Sequence, residues 1–139
     1  MFGLESQCVI IIDGDMKNGN NGQTKHWSTS AKERKSWVKS VSNSWVRSIN
    51  GTEYAFEDYF QCSAPDGLQG LLLTRHIGKG QRFWDPDSVL RGNAKQLIDT
   101  LVEFGVMRDD SVKYLKFVIG VQCDSNREAG PYTSVEVFA

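Results

Sequence analysis

The chain has 139 residues, of which 40% are hydrophobic and 24% are charged, and its formal net charge at pH 7 is −1. This length suits a single domain, and this composition excludes a disordered or fibrous protein. No apolar run approaches the ~18–20 residues of a membrane helix, and the first residues, MFGLE, lack the basic and apolar regions of a signal peptide. Cys8, Cys62 and Cys123 are too far apart to indicate a zinc site, so we expect free thiols in a reducing, cytoplasmic setting.

The N-terminal part is predicted to contain a strand followed by a long helix. Residues 7–12 (QCVIII) are apolar and β-branched, which indicates a buried strand, and the Gly- and Asn-rich residues 13–24 indicate a loop. Residues 30–33 (SAKE) have the form of a capping box, so a helix is expected to begin there and to end at residues 50–51 (NG). The apolar face of this helix is expected to contain Trp37, Val41, Trp45 and Ile49.

The middle of the chain predicts one strand and a second helix. Residues 51–66 are acidic and aromatic, and their pattern leaves both a strand and an irregular segment open. Residues 68–77 (LQGLLLTRHI) indicate a strand. The second helix is predicted to begin at Asp87 or Ser88 and to end at Gly105.

The C-terminal part predicts two further strands. Residues 112–121 and 132–138 are expected to form these strands, joined by a hairpin loop over residues 124–130. The predicted order is β-α-(β)-β-α-β-β. Strands and helices that intermix in this way predict a single α+β domain over residues 1–139, with a mixed sheet and two main helices.

Charge is segregated along the chain. Residues 17–47 carry seven basic side chains against one acid, whereas residues 85–110 carry six acids against three bases. A basic stretch together with an acidic cluster is what a metal-dependent enzyme acting on a polyanion needs. The alternative is a solvated helix face and ordinary surface acids.

Two acidic motifs in the second region could bind a metal ion. Pro86 favours extended geometry at Asp85, and alternate positions of an extended segment point the same way, so Asp85 and Asp87 could share a cation. Asp109-Asp110 follows the predicted second helix and would meet the first motif only if the chain ran back along that helix. Convergent carboxylates are typical Mg²⁺ ligands. The alternative is that Asp87 only caps the helix.

The order of these motifs resembles that of a known family. Residues 82–113 (RFWDPDSVLRGNAKQLIDTLVEFGVMRDDSVK) are similar to the signature of the RusA family of Holliday junction resolvases, which bacteria, phages and prophages carry. The matching positions are Asp85, Asp87, Lys95, Asp99, Leu101 and Asp110. Residues 23–37 are similar to the basic N-terminal part of the phage members.

The resemblance implies a homodimeric, Mg²⁺-dependent endodeoxyribonuclease that cleaves four-way DNA junctions in recombination, repair or phage DNA processing. It implies that Asp85, Asp87 and Asp110 hold Mg²⁺, with Mn²⁺ able to substitute, and that the ion activates a water molecule for attack on the phosphodiester. Lys95 is the further catalytic residue that it implies, offsetting charge at the scissile phosphate. The implied setting is the cytoplasm of a bacterial host, with the protein encoded by a phage or prophage.

Other residues are assigned roles around this centre. Ser88, Asp99 and Asp109 are expected to support the metal ligands without binding the ion. Asp99 lies four residues after Lys95, where a plain ion pair is the alternative. A sequence-neutral grip on DNA phosphates is expected from the basic segment. Its predicted contact residues are Lys25, His26, Arg34 and Lys35.

Two differences from the family pattern motivate a second hypothesis. Ser88 stands where the family has asparagine, and Lys95 lies eight residues after Asp87, a longer separation than in the best-known bacterial form. The second hypothesis is therefore a protein that binds branched DNA without cutting it. A third is a structural or interaction protein whose acids are only solvated. The complete set of three acids favours the nuclease, because a non-cutting binder has no use for all of them.

Overall fold

The computed structural model describes residues 1–17, 27–60 and 67–139, with only the backbone described at 27–29. Its strands are β1 (Ser6–Ile12), β2 (Trp45–Ser48), β3 (Glu53–Ala55), β4 (Gln69–His76), β5 (Leu115–Cys123) and β6 (Tyr132–Phe138). Its helices are α1 (Trp27–Ser42), α2 (Phe56–Tyr59) and α3 (Ala94–Glu103), and Pro86–Ser88 form a 3₁₀ turn.

The strands form one mixed sheet. Their order across the sheet is β3-β2-β1-β6-β4-β5. Strands β4 and β5 run parallel, whereas each other neighbouring pair is antiparallel. This sheet together with its helices confirms the predicted α+β class. Within the region whose structure the sequence leaves open, residues 51–60 contain both β3 and α2.

The core lies between one face of this sheet and the helices α1 and α3. In β1 the alternate residues Cys8, Ile10 and Ile12 are buried, as the period of two in a strand requires. Trp37 of α1 and Leu97 of α3 belong to the same buried cluster. Removal of apolar surface from water, at roughly 25 cal/mol per Å², is therefore what holds the two helices on the sheet.

The prediction that the first helix continues to residues 50–51 is wrong. Helix α1 starts at Trp27, before the predicted capping box, and ends at Ser42, where the Ser44 hydroxyl and N–H both donate to the Val41 carbonyl. The chain then enters β2, which pairs with β1, and Trp45 is 57% exposed. The spacing of four residues continues from the helix into the strand by coincidence, so the predicted apolar face is partly spurious.

The second helix also begins later than predicted. The acidic motif lies in the 3₁₀ turn, and α3 begins only at Ala94. Just before α3 the chain passes close to Lys17: a Cβ atom at Gly92 would lie 1.7 Å from the Lys17 carbonyl oxygen. Asn93 fixes the same contact, because its Oδ1 accepts a hydrogen bond from the Lys17 N–H at 2.8 Å. The predicted stop at Gly105 is confirmed, since its φ of +79° suits glycine.

The predicted hairpin between the last two strands is wrong. Strand β6 pairs with β1 and β4, and β5 pairs with β4 on its other side. The loop after β5 therefore carries the chain past β4. Strand β5 begins at Leu115 and not at Val112, which is 91% exposed. Local alternation defined both strands, but the pairing depends on contacts distant in sequence.

Gly120 in β5 allows the segment after the 3₁₀ turn to pack directly on the strand. A Cβ atom there would lie 2.9 Å from Leu90 Cγ and from Val89 Cγ1. Because overpacking displaces neighbouring side chains, we expect Gly120→Ala to lower the free energy of unfolding by about 1–3 kcal/mol, measured by chemical denaturation. Val112→Ala is the matched surface control, with an expected change below about 0.5 kcal/mol. An equally small change at Gly120 would contradict the tight contact.

Candidate active site

The segment that precedes the first acidic motif is fastened to the ends of the two parallel strands. Arg75 on β4 and Gln122 on β5 are partners in the register of these strands. The Trp84 N–H donates to Gln122 Oε1 at 2.9 Å, and Gln122 Nε2 donates to the Trp84 carbonyl at 3.0 Å. One side chain therefore satisfies both backbone polar groups of the residue before Asp85.

Arg75 strengthens this attachment from β4. Its side chain is buried, and Nη1 donates to the Arg82 carbonyl at 2.9 Å and to Gln122 Oε1 at 2.8 Å. The guanidinium carbon lies 3.6 Å from the centroid of a Trp84 ring, a cation–π contact. Burial lowers the Arg75 pKa, but a guanidinium stays charged at any physiological pH. Burial of a cation is costly, and these contacts offset part of that cost while they hold the segment on the sheet.

Asp85 and Asp87 follow this attachment directly. Asp85 is extended, with φ −57° and ψ 137°, and its carbonyl accepts a hydrogen bond from the Ser88 N–H at 2.9 Å. Asp87 lies inside the 3₁₀ turn, and its carboxylate forms an ion pair with Arg91, four residues later. The extended geometry expected for Asp85 is therefore found, whereas Asp87 already belongs to the turn.

The second acidic motif returns to the start of α3. After this helix the chain reverses at Gly105, and Val106 and Met107 are fully buried. Their burial packs the returning segment along the helix. Asp110 thereby reaches Lys95, which is the second residue of α3. The run back along the helix, on which convergence of the motifs depends, is made by this irregular segment before β5 begins.

Lys95 brings together three of the predicted site residues. Its Nζ lies 3.0 Å from Asp99 Oδ1 and forms a second ion pair with Asp110. The Lys95–Asp99 ion pair, which the sequence offers as the alternative to a supporting role for Asp99, is present, and Asp110 joins it from 15 residues away. We call these three residues the Lys95 cluster. Its side chains are partly exposed, so solvent screens both ion pairs.

The Lys95 cluster shifts the ionisation of its members. The hydrogen bond from Lys95 lowers the pKa of Asp110, and the hydrogen bonds to Asp110 and Asp99 raise the pKa of Lys95. A carboxylate whose pKa is lowered by folding contributes stability above its ordinary pKa, and this contribution is lost as the pH falls through the lowered value. The contribution of Asp110 is therefore present at neutral pH.

Removal of the lysine should restore an ordinary titration to Asp110. In Lys95→Met the donor is lost, so we expect the midpoint of Asp110, followed by carboxyl ¹³C NMR, to rise toward the usual aspartate range. Lys113→Met removes a lysine that is close in sequence but is not among the groups that shift the Asp110 pKa, and it should leave this midpoint unchanged. Equal midpoints in Lys95→Met and the wild type would show that the Lys95–Asp110 pair does not form in solution.

The predicted metal ligands suit Mg²⁺ in their chemistry, but Asp87 and Asp110 are paired with cations. Asp85, Asp87 and Asp110 offer carboxylate oxygens, which Mg²⁺ prefers. Asp87 is paired with Arg91, and Asp110 with Lys95. Within the described residues, no three His, Cys, Asp or Glu side chains are grouped so that they could hold a metal ion. Metal binding would have to compete with these cations, and a shared ion remains a prediction.

The two predicted supporting residues next to these acids have different environments. Ser88 is fully buried, and its Oγ has no hydrogen-bond partner in the part of the chain that the structure describes. Asp109 is exposed beside Asp110. Neither environment assigns a role, so both assignments stay predictions.

The predicted DNA contacts are only partly described. Lys25 and His26 lie outside the described residues. Arg34 on α1 donates to Glu103 on α3 at 2.6 Å, whereas Lys35 is exposed. Arg34 thus ties the two helices together, and the basic helix α1 packs beside the helix that carries Lys95.

Sequence reasoning missed Arg75 and Gln122. One signal was available for Arg75: the alternation in β4 places it on the same side as Leu71 and Leu73, where a charged residue needs buried partners. Gln122 carried no comparable signal, because its role depends on the parallel register with β4.

Comparisons with known proteins add no relative. No protein family model, no curated protein and no solved structure matches this chain. Among the described residues, no helix has both the length and the apolar character needed to cross a membrane. The family resemblance therefore remains a prediction that rests on the motifs of residues 82–113.

Proposed function

We propose that this protein is a Mg²⁺-dependent endodeoxyribonuclease that is selective for four-way DNA junctions. The motif order in residues 82–113 supports the proposal. The observation that carries it is the contact of Lys95 with Asp110 across 15 residues of sequence. The resemblance gives both residues catalytic roles, and folding brings their side chains into contact.

Each charged residue of the centre has a role in this proposal. Asp85, Asp87 and Asp110 hold the ion, which when bound supplies charge neutralisation and an activated water. Asp110 would be shared between the ion and Lys95, with which it is paired in the structure. The Lys95 ammonium, held near Asp99, would donate to the scissile phosphate.

The basic segment supplies the grip on DNA. Lys25, His26, Arg34 and Lys35 contact the phosphate backbone, which gives affinity without sequence preference. Helix α1, which carries Arg34 and Lys35, lies beside α3, the helix that carries Lys95. The proposed setting is the cytoplasm of a bacterial host, where a phage- or prophage-encoded protein would act in DNA recombination, repair or phage DNA processing.

A non-cutting protein that binds branched DNA is the second candidate. The observation that favours it is the pairing of Asp87 with Arg91 and of Asp110 with Lys95. Acids whose charge is already offset by neighbouring cations attract a metal ion less strongly. In this candidate function the basic segment still binds DNA, but the phosphodiester bond is not cleaved.

Cleavage of matched DNA substrates separates the two candidates. A synthetic four-way junction and a linear duplex of the same arm sequence are incubated with the protein in Mg²⁺. We expect nicks in symmetrically related strands of the junction, with 5′-phosphate ends, and an intact duplex. Tight binding of the junction with no product would support the second candidate, and equal cleavage of both substrates would contradict junction selectivity.

A homodimer is part of the proposal, because two symmetrically related strands need two active centres. We expect light scattering at micromolar concentration to give about twice the 15.6 kDa mass of the chain. A monomer that still cuts both strands of one junction in a concerted way would contradict this prediction.

A further inference from the structure

The segment between β4 and the 3₁₀ turn lacks regular secondary structure, so its backbone groups need other partners. At Trp84 both partners come from Gln122, which binds the N–H and the carbonyl as a neighbouring strand would. The side chain of Gln122 thus supplies the two hydrogen bonds that a neighbouring strand would make, in the segment that connects β4 to the acidic motif.

This attachment fixes the backbone on one side of Asp85. On the other side, the hydrogen bond from the Ser88 N–H to the Asp85 carbonyl closes the 3₁₀ turn. Consecutive Cα atoms lie about 3.8 Å apart, so the place of Trp84 limits where the backbone of Asp85 can lie. Hydrogen bonds therefore hold the backbone on both sides of Asp85. Those at Trp84 come from the Gln122 side chain, whereas the one from Ser88 is made by the backbone.

Arg75 determines how the Gln122 amide is oriented. Oε1 of Gln122 accepts from both Arg75 Nη1 and the Trp84 N–H, at 2.8 and 2.9 Å. A flipped amide would place its NH₂ group against these two donors. The buried arginine therefore selects the one orientation in which Gln122 can bind Trp84.

We infer that Gln122 is a positioning residue that holds Asp85 in place for metal binding, and that Arg75 orients Gln122 for this task. The inference rests on the proposed function, because it takes Asp85 as a metal ligand. Neither residue is a proposed ligand of the ion or a proposed contact of the DNA. Partners of this outer kind typically change metal affinity or activity by 10–100-fold when they are replaced.

Gln122→Met tests the inference, since methionine has a similar length but neither accepts nor donates these hydrogen bonds. Mn²⁺ binding is measured by titration calorimetry without DNA, and junction cleavage is measured under single turnover. We expect the Kd for Mn²⁺ to rise about 10-fold or more and cleavage at a fixed, subsaturating Mn²⁺ concentration to slow accordingly. The Kd for the junction, measured in EDTA, should stay within about twofold of the wild-type value.

Two further variants keep the result interpretable. Gln122→Glu preserves the acceptor for both N–H donors, so it should recover part of the lost Mn²⁺ affinity. Gln7→Met makes the same exchange at an exposed glutamine of β1 and should behave as the wild type. Circular dichroism melting shows whether each variant is folded. If Gln122→Met does not fold, Gln122→Glu tests the positioning role alone, because it loses the hydrogen bond to the Trp84 carbonyl: a raised Kd for Mn²⁺ supports the role, and an unchanged Kd overturns it.

The outcomes separate this inference from the proposed function. Wild-type protein that binds Mn²⁺ and cuts, with unchanged Mn²⁺ affinity in Gln122→Met, overturns only the positioning role. If wild-type protein binds Mn²⁺ without cutting the junction, the proposed nuclease activity is overturned, and the Mn²⁺ affinity of Gln122→Met still tests the positioning role. Wild-type protein that does not bind Mn²⁺ overturns both.

Discussion

Asp110→Asn should abolish junction cleavage and leave junction binding intact. The variant removes one negative charge from the proposed metal ligands, whereas the basic segment that grips DNA is unchanged. Changes to residues that only support a metal ligand already cost 10–100-fold, so we expect the single-turnover rate to fall by at least about 100-fold. The Kd for the junction in EDTA should stay within about twofold.

Asp58→Asn is the matched control for this experiment. Asp58 is an exposed acid of α2 that lies outside the proposed centre, so its replacement should leave the rate unchanged. A near wild-type rate in Asp110→Asn would remove this acid from the active centre. Equal losses in both variants would indicate that any loss of negative charge lowers the rate, and not the loss of one ligand.

Replacement of three basic residues should have the largest effect on DNA affinity. In the variant with Lys25→Ala, Arg34→Ala and Lys35→Ala, binding should weaken for junction and duplex alike. Each lost phosphate contact lowers the slope of log K against log salt concentration by about 0.9. Fluorescence anisotropy between low and moderate salt measures both quantities, and cleavage at saturating protein should change much less.

The ion pair of Arg34 with Glu103 adds a structural effect that requires a control. Glu103→Ala breaks the same contact between α1 and α3 but keeps the arginine, so its DNA affinity should not fall. A second comparison is Lys79→Ala with Arg82→Ala, two exposed basic residues before the acidic motif. Loss of binding in that variant, with an unchanged affinity and salt slope in the triple variant, would place the DNA contacts there instead.

Strands with a clear local pattern could be predicted closely from the sequence. Residues 132–138 match β6, and the predicted strands at 7–12 and 68–77 match β1 and β4 within a residue. Strand β2 could not be predicted, because Trp45 continues the helical spacing of Trp37 and Val41. These residues form a strand and not a continuation of the helix because they pair with β1, which lies far away in sequence.

The candidate site divides in the same way between local and distant contacts. The Lys95–Asp99 pair follows from a spacing of four residues on one helix and could be predicted. The approach of Asp110 depends on the reversal at Gly105 and on burial of the residues that follow it, which no local pattern encodes. The attachment of Trp84 by Gln122 requires the register of β4 with β5 and was beyond sequence reasoning.

Cleavage of a four-way junction with and without a divalent ion tests the central claim most directly. Wild-type protein in excess over a labelled junction is incubated in Mg²⁺, in EDTA, and in EDTA followed by excess Mg²⁺. We expect paired nicks in Mg²⁺, no cleavage in EDTA, and full recovery when the ion is restored. Cleavage that persists in EDTA would contradict the proposed metal centre, and a junction that is bound but uncut in Mg²⁺ would contradict the nuclease itself.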